Sequence, residues 1–434
     1  MRLLPLILTI WTVSVHAQGV SDEVVRVHLL ASETVREAQI SAIQGPLEVV
    51  ADGSPAGVVN PGQNVTVRYR NGIARVEGRG LSVSGARLEF DGGAFGLRVG
   101  RTDRSYRGAA RVFAASGSLI LVNHVPMEPY VASVVASELG FDVPEANKAQ
   151  AVLARTFAAR RLGGSGTHDL TDNTGSQVYR GMETVTEVTQ AAAEATAGEV
   201  LTYRGELAEA TYYSSSGGYT ADNDAVWNGE PVPYLRAVPD PYDRVSPFSS
   251  WESTPSRRAV HDALSSRFGG RVTDVRVIQR SRSGRVQRVR LVGAHRSEVS
   301  GNQFRSAINA SLGWRTVKST KFELSQRGDR YVLRGSGFGH GVGMSQYGAI
   351  GQARDGRSYQ EILAFYFSGT TLNTRRAPIQ VAQATPAPRV DTPTVGNRPV
   401  RRYPTPRRIA RRPAVEAPSP ARQARTAAPR RTAW

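Results

Sequence analysis

From Val24 to about Val99, apolar and polar residues alternate in short runs: VVRVHLL, EAQISAI, NVTVRYR, GIARVEG, ARLEF and GLRV. A period of two puts successive side chains on opposite faces of a strand. Between the runs stand DGSPAG, NPGQN, RNG and DGG, whose glycine, proline and asparagine residues favour tight turns. Residues 18–104 therefore read as a β-rich region of hairpins, without a convergent group of titratable side chains.

Near Ser105 the pattern changes. SLILVNHV still alternates, but MEPYVASVVASEL spaces its apolar residues as a helix does, with Glu128 in its first turn. Pro144 opens a second helix, PEANKAQAVLARTFAARRL, at the position where proline is tolerated. Alternation returns in EVLTYRGELAEATYYSS, and the helix RRAVHDALSSRF leads to strands VTDVRVIQR and VQRVRLVG. A glycine-rich loop follows strand RYVLRGSG, and the helix SYQEILAFYFSG closes the region. Residues 105–375 are thus expected to form an α+β domain of mixed helices and antiparallel strands.

The two ends differ from this interior. Arg2 precedes LLPLILTIWTVSV and then Val15-His16-Ala17, the layout of a secretory signal, too short to span a bilayer. Residues 1–17 are read as that signal, cleaved near Ala17, and the protein as exported to the cell envelope. The formal charge of +18 is concentrated in residues 376–434, where thirteen arginines face two acids. That segment also holds eleven of the 24 prolines and lacks the apolar content to offset its ordering entropy, so a disordered tail is expected. It reads either as a solvated end or, the reading we favour, as an adhesive arm for anionic wall polymers or a membrane surface. An exported protein rarely meets nucleic acid, so none is expected as a partner.

The absence of cysteine excludes disulfides and thiolate chemistry. The seven histidines are scattered with no helical ligand spacing, and no metal or other cofactor is expected. The stretch GFGHGVGMSQYGA, Gly337 to Ala349, carries His340, Met344, Gln346 and Tyr347 among five glycines. It contains neither G-x-G-x-x-G nor G-x-x-x-x-G-K-[ST], which excludes a phosphate cradle. SSSGG at Ser214 to Gly218 does not fit the G-x-S-x-G nucleophile elbow, although Ser216, His340 and an aspartate could in principle form a triad.

Two charged residues lie in apolar helical surroundings. Glu138 ends YVASVVASE before Gly140; it is either a surface glutamate or a desolvated carboxyl whose raised pKa, helped by the helix C-terminus, suits a general acid. Arg155 sits inside AVLARTFAA, where a guanidinium needs an anion: either it ties two helices, or it orients Glu138 or a substrate oxygen.

Taken together these stretches resemble the catalytic domain of the stage II sporulation protein D family, the SpoIID/LytB domain. The resemblance runs in order through YRGAARVF, LILVNHVPMEPYVASVVASEL, PEANKAQAVLARTFAARRL, DLTDNTGSQVYRG, TYYSSSGGYTADNDAVW, PYLRAVPDPYD, SGRVQRVRLVG, VKSTKFEL, GFGHGVGMSQYGA and YQEILAFYFSGT. It implies a lytic transglycosylase acting on peptidoglycan glycan strands, with Glu138 matching the catalytic glutamate of the family's V-x-x-E segment. It also implies a groove lined by the loop at His340, with Ser214, Ser215, Ser216 and Gln177 to Tyr179 nearby. Placing Arg155 with the catalytic group, and Tyr219, Gln346 and Tyr347 with the groove, is our own extension. Some relatives carry a Cys/His zinc cluster where this chain has Thr171, Gly175 and Ser176, so hydrogen-bonded hydroxyls are expected there instead. Other members enhance a wall amidase, which keeps open a non-catalytic wall-binding role or an amidase partner. An ordinary hydrolase pairing Glu138 with Asp172 or Asp222 is the remaining alternative.

Overall fold

The alternating runs of the first hundred residues form two sheets. In a computed structural model, which describes residues 23–375 apart from 79 and 228, the strands are β1 Val24–Leu29, β2 Glu37–Gln44, β3 Leu47–Ala51, β4 Ser54–Val59, β5 Asn64–Arg70 and β6 Ile73–Gly78. There follow β7 Leu81–Gly85, β8 Arg87–Asp91, β9 Ala94–Val99, β10 Thr102–Arg107, β11 Ala109–Ala115 and β12 Ser118–Pro126. The expected signal and basic tail lie outside the described residues.

One sheet has the order β13-β1-β12-β11-β8-β3-β4, where β13 is Leu170–Thr171; the other runs β10-β9-β2-β5-β6-β7. Alternation decides which residues meet: in β1, Val25, Val27 and Leu29 are buried while Arg26 and His28 are only partly so. With Ile40, Val67, Phe90 and Phe95 they build one core. β1 pairs antiparallel with β12 from Val24 opposite Pro126 to Leu29 opposite Leu121. The expected border at 104/105 falls inside β10, and β11 and β12 are flanked in their sheet by β8 and β1.

β12 runs straight into helix α1, Met127–Glu138. Tyr130, Val131, Val134 and Val135 of α1 are fully buried, each such side chain contributing about 1.5–3 kcal/mol. The helix stops at Gly140, whose φ of +63° and 2.7 Å gap between a would-be Cβ and the Ala136 carbonyl admit only glycine comfortably. Helix α2, Pro144–Ala159, lies between two cores. Ala151, Ala154 and Ala158 face the first; Ala149, Val152 and Leu153 face a second containing Met344, Ile350 and Phe367.

The chain continues with α3 Glu187–Ala195, β14 Glu199–Tyr203, β15 Glu206–Leu207, β16 Tyr212–Tyr213, α4 Asn223–Trp227 and a 3-10 turn at Pro241–Val245. Then come β17 Trp251–Ser253, α5 Arg257–Phe268, β18 Gly270–Arg280, β19 Val286–Ala294, β20 Glu298–Ser300, α6 Gly301–Leu312, β21 Phe322–Arg327 and β22 Arg330–Gly335. These form a third core around Leu264, Val289, Phe304 and Phe322. The last elements are β23 Met344–Ser345, α7 Gln346–Arg354, α8 Tyr359–Tyr366 and β24 Thr371–Thr374. The architecture is mixed α+β, as the patterning predicts.

Candidate functional site

Glu138 is the last residue of α1, where the unpaired carbonyls of a helix end disfavour negative charge. Its carboxyl is largely enclosed, with some exposure left at the edge. Burial raises its pKa; the Val178 N–H, 2.8 Å from Oε1, and the side-chain amide of Gln346 draw it partway back. The carboxyl thus resists ionisation and still has donors placed to receive the charge when it forms.

A hydroxyl-amide chain stands beside it. Tyr130 donates its hydroxyl to Oε1 of Gln177 at 2.8 Å, and Nε2 of Gln177 donates to the Tyr212 hydroxyl at 2.9 Å. Both phenols are buried and titrate upward, first through burial and then through the nearby Glu138 charge, so they remain neutral. Gln346 opens α7; its buried Nε2 stands near enough to Glu138 to lower the carboxyl's pKa but forms no hydrogen bond of ordinary geometry, leaving it free to close on the carboxylate.

The glycine-rich loop lies against this group through Tyr212. His340 accepts the Val342 N–H at Nδ1, 3.1 Å, and bonds the Tyr212 carbonyl through Nε2, 3.0 Å. A carbonyl only accepts, so Nε2 carries the proton. Burial lowers the His340 pKa to about 4; the ring is a neutral clamp with both nitrogens engaged, which removes it from any triad. Its glycines are needed for close approach. A Cβ at Gly341, φ +96°, would sit 2.5 Å from Cζ of the buried Arg285, and one at Gly343, φ +79°, 2.1 Å from the Thr211 carbonyl.

Ser215 and Ser216 serve the same loop. Asp243, 1% exposed, accepts the Ser215 hydroxyl at 2.8 Å, the backbone N–H groups of Ser216 and Gly217 at 2.9 and 2.8 Å, and the Ser345 hydroxyl at 2.7 Å. Beneath it Arg285 donates to the Ser216 carbonyl. Ser214 meets the groove through its carbonyl, which accepts the Tyr347 N–H at 3.0 Å. Tyr219 bridges Pro239 through its backbone.

The structure therefore brings Glu138, Gln177, Gln346 and Tyr347 together, with His340 and Ser214 behind them. It places Arg155 elsewhere. That guanidinium, 2% exposed, donates Nε to Glu128 at 3.0 Å and pairs it again through Nη2, with further bonds to the Ala193 and Glu199 carbonyls. Glu128 is in the first turn of α1 and Glu138 in its last, so Arg155 ties helices together and does not orient the carboxyl. Tyr179 is likewise a core residue: it is 1% exposed, donates to Asn123 at 2.7 Å and packs its ring on Tyr130.

At the segment matched to the zinc cluster, the Thr171 hydroxyl donates to Asn173 Oδ1 at 3.1 Å and shares a second hydrogen bond with the Ser176 hydroxyl, also at 3.1 Å. Asp172 accepts the Leu30 and Ala31 N–H groups, and Asp222 pairs with Arg236 and Arg282; both carboxylates are committed away from Glu138. Sequence reasoning missed Asp243, Arg285 and Tyr212, and it did not foresee that Val178, inside the Gln177–Tyr179 stretch, contributes its backbone N–H. Asp243 stands in a PDPYD run that signals a turn, but nothing local marks it as the anchor of two distant loops. Among the described residues no helix is long and apolar enough to cross a membrane.

Comparison with known proteins accords with this arrangement. The family model described as Stage II sporulation protein matches residues 115–203, the segment holding α1, Glu138 and Val178. A model for a domain of unknown function matches residues 242–343. Stage II sporulation protein D of Bacillus subtilis is 32% identical over 278 residues, covering 58% of this chain and 76% of that protein. Its namesake in Bacillus amyloliquefaciens is also 32% identical, with 58% and 75% covered. An amidase enhancer of Bacillus subtilis is 31% identical over 277 residues, 53% of this chain but 38% of that longer protein. Identity at this level across three quarters of a relative's length leads to one conclusion: this chain belongs to the stage II sporulation protein D family.

Proposed function

We propose that the protein is an exported peptidoglycan lytic transglycosylase that cleaves the bond between N-acetylmuramate and N-acetylglucosamine, with Glu138 as its general acid and base. The observation that carries this reading is a single enclosed carboxyl with a raised pKa and flanking neutral donors. Asp172 and Asp222 are held by other partners, which favours a one-carboxylate scheme over paired-carboxylate hydrolysis.

In that scheme protonated Glu138 gives its proton to the bridging oxygen as the C1–O bond breaks. The resulting carboxylate, held by the Val178 N–H and the Gln346 amide, takes the proton of the sugar's own C6 hydroxyl as that oxygen bonds C1. The acid is regenerated, no water is consumed, and a 1,6-anhydro end results. The neutral Tyr130–Gln177–Tyr212 chain keeps the flanking surface uncharged, so that the negative charge formed in the reaction meets dipoles and not competing ions.

Replacing Glu138 with Gln and treating purified glycan strands tests the scheme. Release of anhydro-muropeptides should fall about 10²–10⁴-fold, the usual contribution of general acid–base catalysis; undiminished release removes Glu138 from the chemistry. Product mass separates the hydrolase alternative, because hydrolysis adds a water. A second reading has one specific support, the likeness to an amidase enhancer: the groove would bind strands for a partner amidase and would not need Glu138. The export signal and a tail adhering to anionic wall polymers or membrane belong to the proposal. A chain ending at Arg375 should lose sedimentation with anionic walls at low salt.

A further inference from the structure

An aromatic path leads away from Glu138 across the loops. Phe141, 42% exposed, lies three residues beyond Glu138, and its ring is 5.8 Å from that of Tyr347. Tyr347 is 6.1 Å from Phe248, Phe248 is 4.8 Å from Phe338, and Phe338 stacks on Trp314 at 5.5 Å and 15°. Trp314 is 62% exposed, a large apolar face open to water at the far end of the path. It belongs to the segment, residues 242–343, that a model for a domain of unknown function matches.

The path is held by backbone hydrogen bonds, so its rings are pre-positioned. Phe338 exchanges both backbone bonds with Ser215, Gly337 donates to the Phe248 carbonyl at 2.7 Å, and Tyr347 donates to Ser214 at 3.0 Å. Two cations flank its outer end. The Arg315 guanidinium is 5.1 Å from the Trp314 ring, and the Lys318 ammonium 5.2 Å from the ring of Trp251; neither has an ion-pair partner among the described residues.

We propose that Trp314, with Arg315 and Lys318, forms a distal subsite that holds the glycan strand several sugars away from the scissile bond. This rests on the strand-cleaving reading and extends it to strand length. Pyranose rings present flat C–H faces that stack on aromatic rings, and the ring-to-ring steps of 4.8–6.1 Å are on the scale of successive sugars in a strand. The cations suit the lactyl carboxylates that muramic acid residues expose on strands stripped of their stem peptides, which are the strands the test uses. The inner end of the path, Phe141, lies three residues from Glu138 in the chain, so the proposal has one ligand engaging both ends. Binding energy gathered at Trp314 would make affinity depend on strand length.

The experiment uses the full chain carrying Glu138→Gln, so that strands stay intact, and measures affinity calorimetrically for long glycan strands stripped of their stem peptides and for single-disaccharide fragments. Adding Trp314→Ala should weaken long-strand binding about five- to tenfold, the worth of one aromatic contact, while the long-to-short affinity ratio falls by the same factor. Trp314→Phe should recover most of it. Equal long-strand affinity with and without Trp314, at an unchanged melting temperature, overturns the proposal. A loss that is equal for short fragments also overturns it, because the residue would then act at the cleavage site or through the fold. If the Glu138→Gln chain binds no strand at all, the strand-cleaving reading fails as well.

Discussion

The backbone N–H of Val178 points at Oε1 of Glu138 from 2.8 Å away. This one contact joins the end of α1 to a loop forty residues further on, and it opposes the burial that raises the carboxyl's pKa. The acid is therefore balanced: burial favours its protonated form, and a donor is aimed at it for the moment it ionises. Because the scheme starts from the protonated form, activity should be lost as pH rises through the raised pKa of Glu138.

Gln346 shares that balance. Its amide lowers the Glu138 pKa, so Gln346→Ala should move the alkaline limb of the activity profile to higher pH, with a lower maximal rate from the missing donor. A pH–rate profile of both proteins checks this. An unmoved limb would mean that Gln346 is electrostatically silent.

His340 should remain neutral in the folded protein down to about pH 4. The unfolded chain takes up this proton near pH 6.5. Stability from the uncharged ring is thus complete above pH 6.5 and is lost as pH falls toward 4, by about 3 kcal/mol. Nitrogen NMR of the ring should show protonated Nε2 and a midpoint near 4, and urea denaturation should show the acid decline. A midpoint near 6.5 would contradict the clamp.

Arg155 and Glu128 form a buried pair, and removing one leaves the other uncompensated. Arg155→Ala should cost about 3–5 kcal/mol. Arg155→Met together with Glu128→Gln should recover much of that, because no buried charge is stranded. Product release per folded molecule should be the same in the double variant. A selective loss of turnover in a fully folded Arg155→Met/Glu128→Gln protein would restore Arg155 to the chemistry.

Asp240 is fully buried beside Asp243, and burial and that neighbour raise its pKa to about 6. Here the folded state holds the proton more tightly than the unfolded chain, so stability falls as pH rises from about 4 to 6. Asp240→Asn should raise the melting temperature at pH 7.5 and change it little at pH 4. Its amide oxygen can still accept the Tyr366 hydroxyl, which bonds Asp240 at 2.9 Å.

Periodic elements were legible in the sequence where one face is buried. β1, β2, β5, α1, α2, α5 and α8 lie where the patterning puts them, because each alternates or cycles against a core. α3, α6 and α7 were not anticipated: EVTQAAAEA and QYGAIGQAR have few large apolar residues, and their helices form by capping and tertiary packing. Glu138 drew notice because an acid at the last turn of an otherwise apolar helix stands out. Arg155 stood out equally and proved to be a strut, since Glu128, its partner one helix away, lies too far along the chain for local pattern to connect them. Asp243 was invisible because its role depends on loops around residues 216 and 345 arriving at one place.

β1 is the first strand to be made, yet its neighbour β12 follows nearly a hundred residues later, and Met127 at the head of α1 donates its N–H to the Glu23 carbonyl. The opening strand therefore has to wait for the helix that carries the acid. Under the proposed function, Glu138 would reach its working position only after β1 had been threaded back beside β12 and α1, so the site is among the late contacts to form.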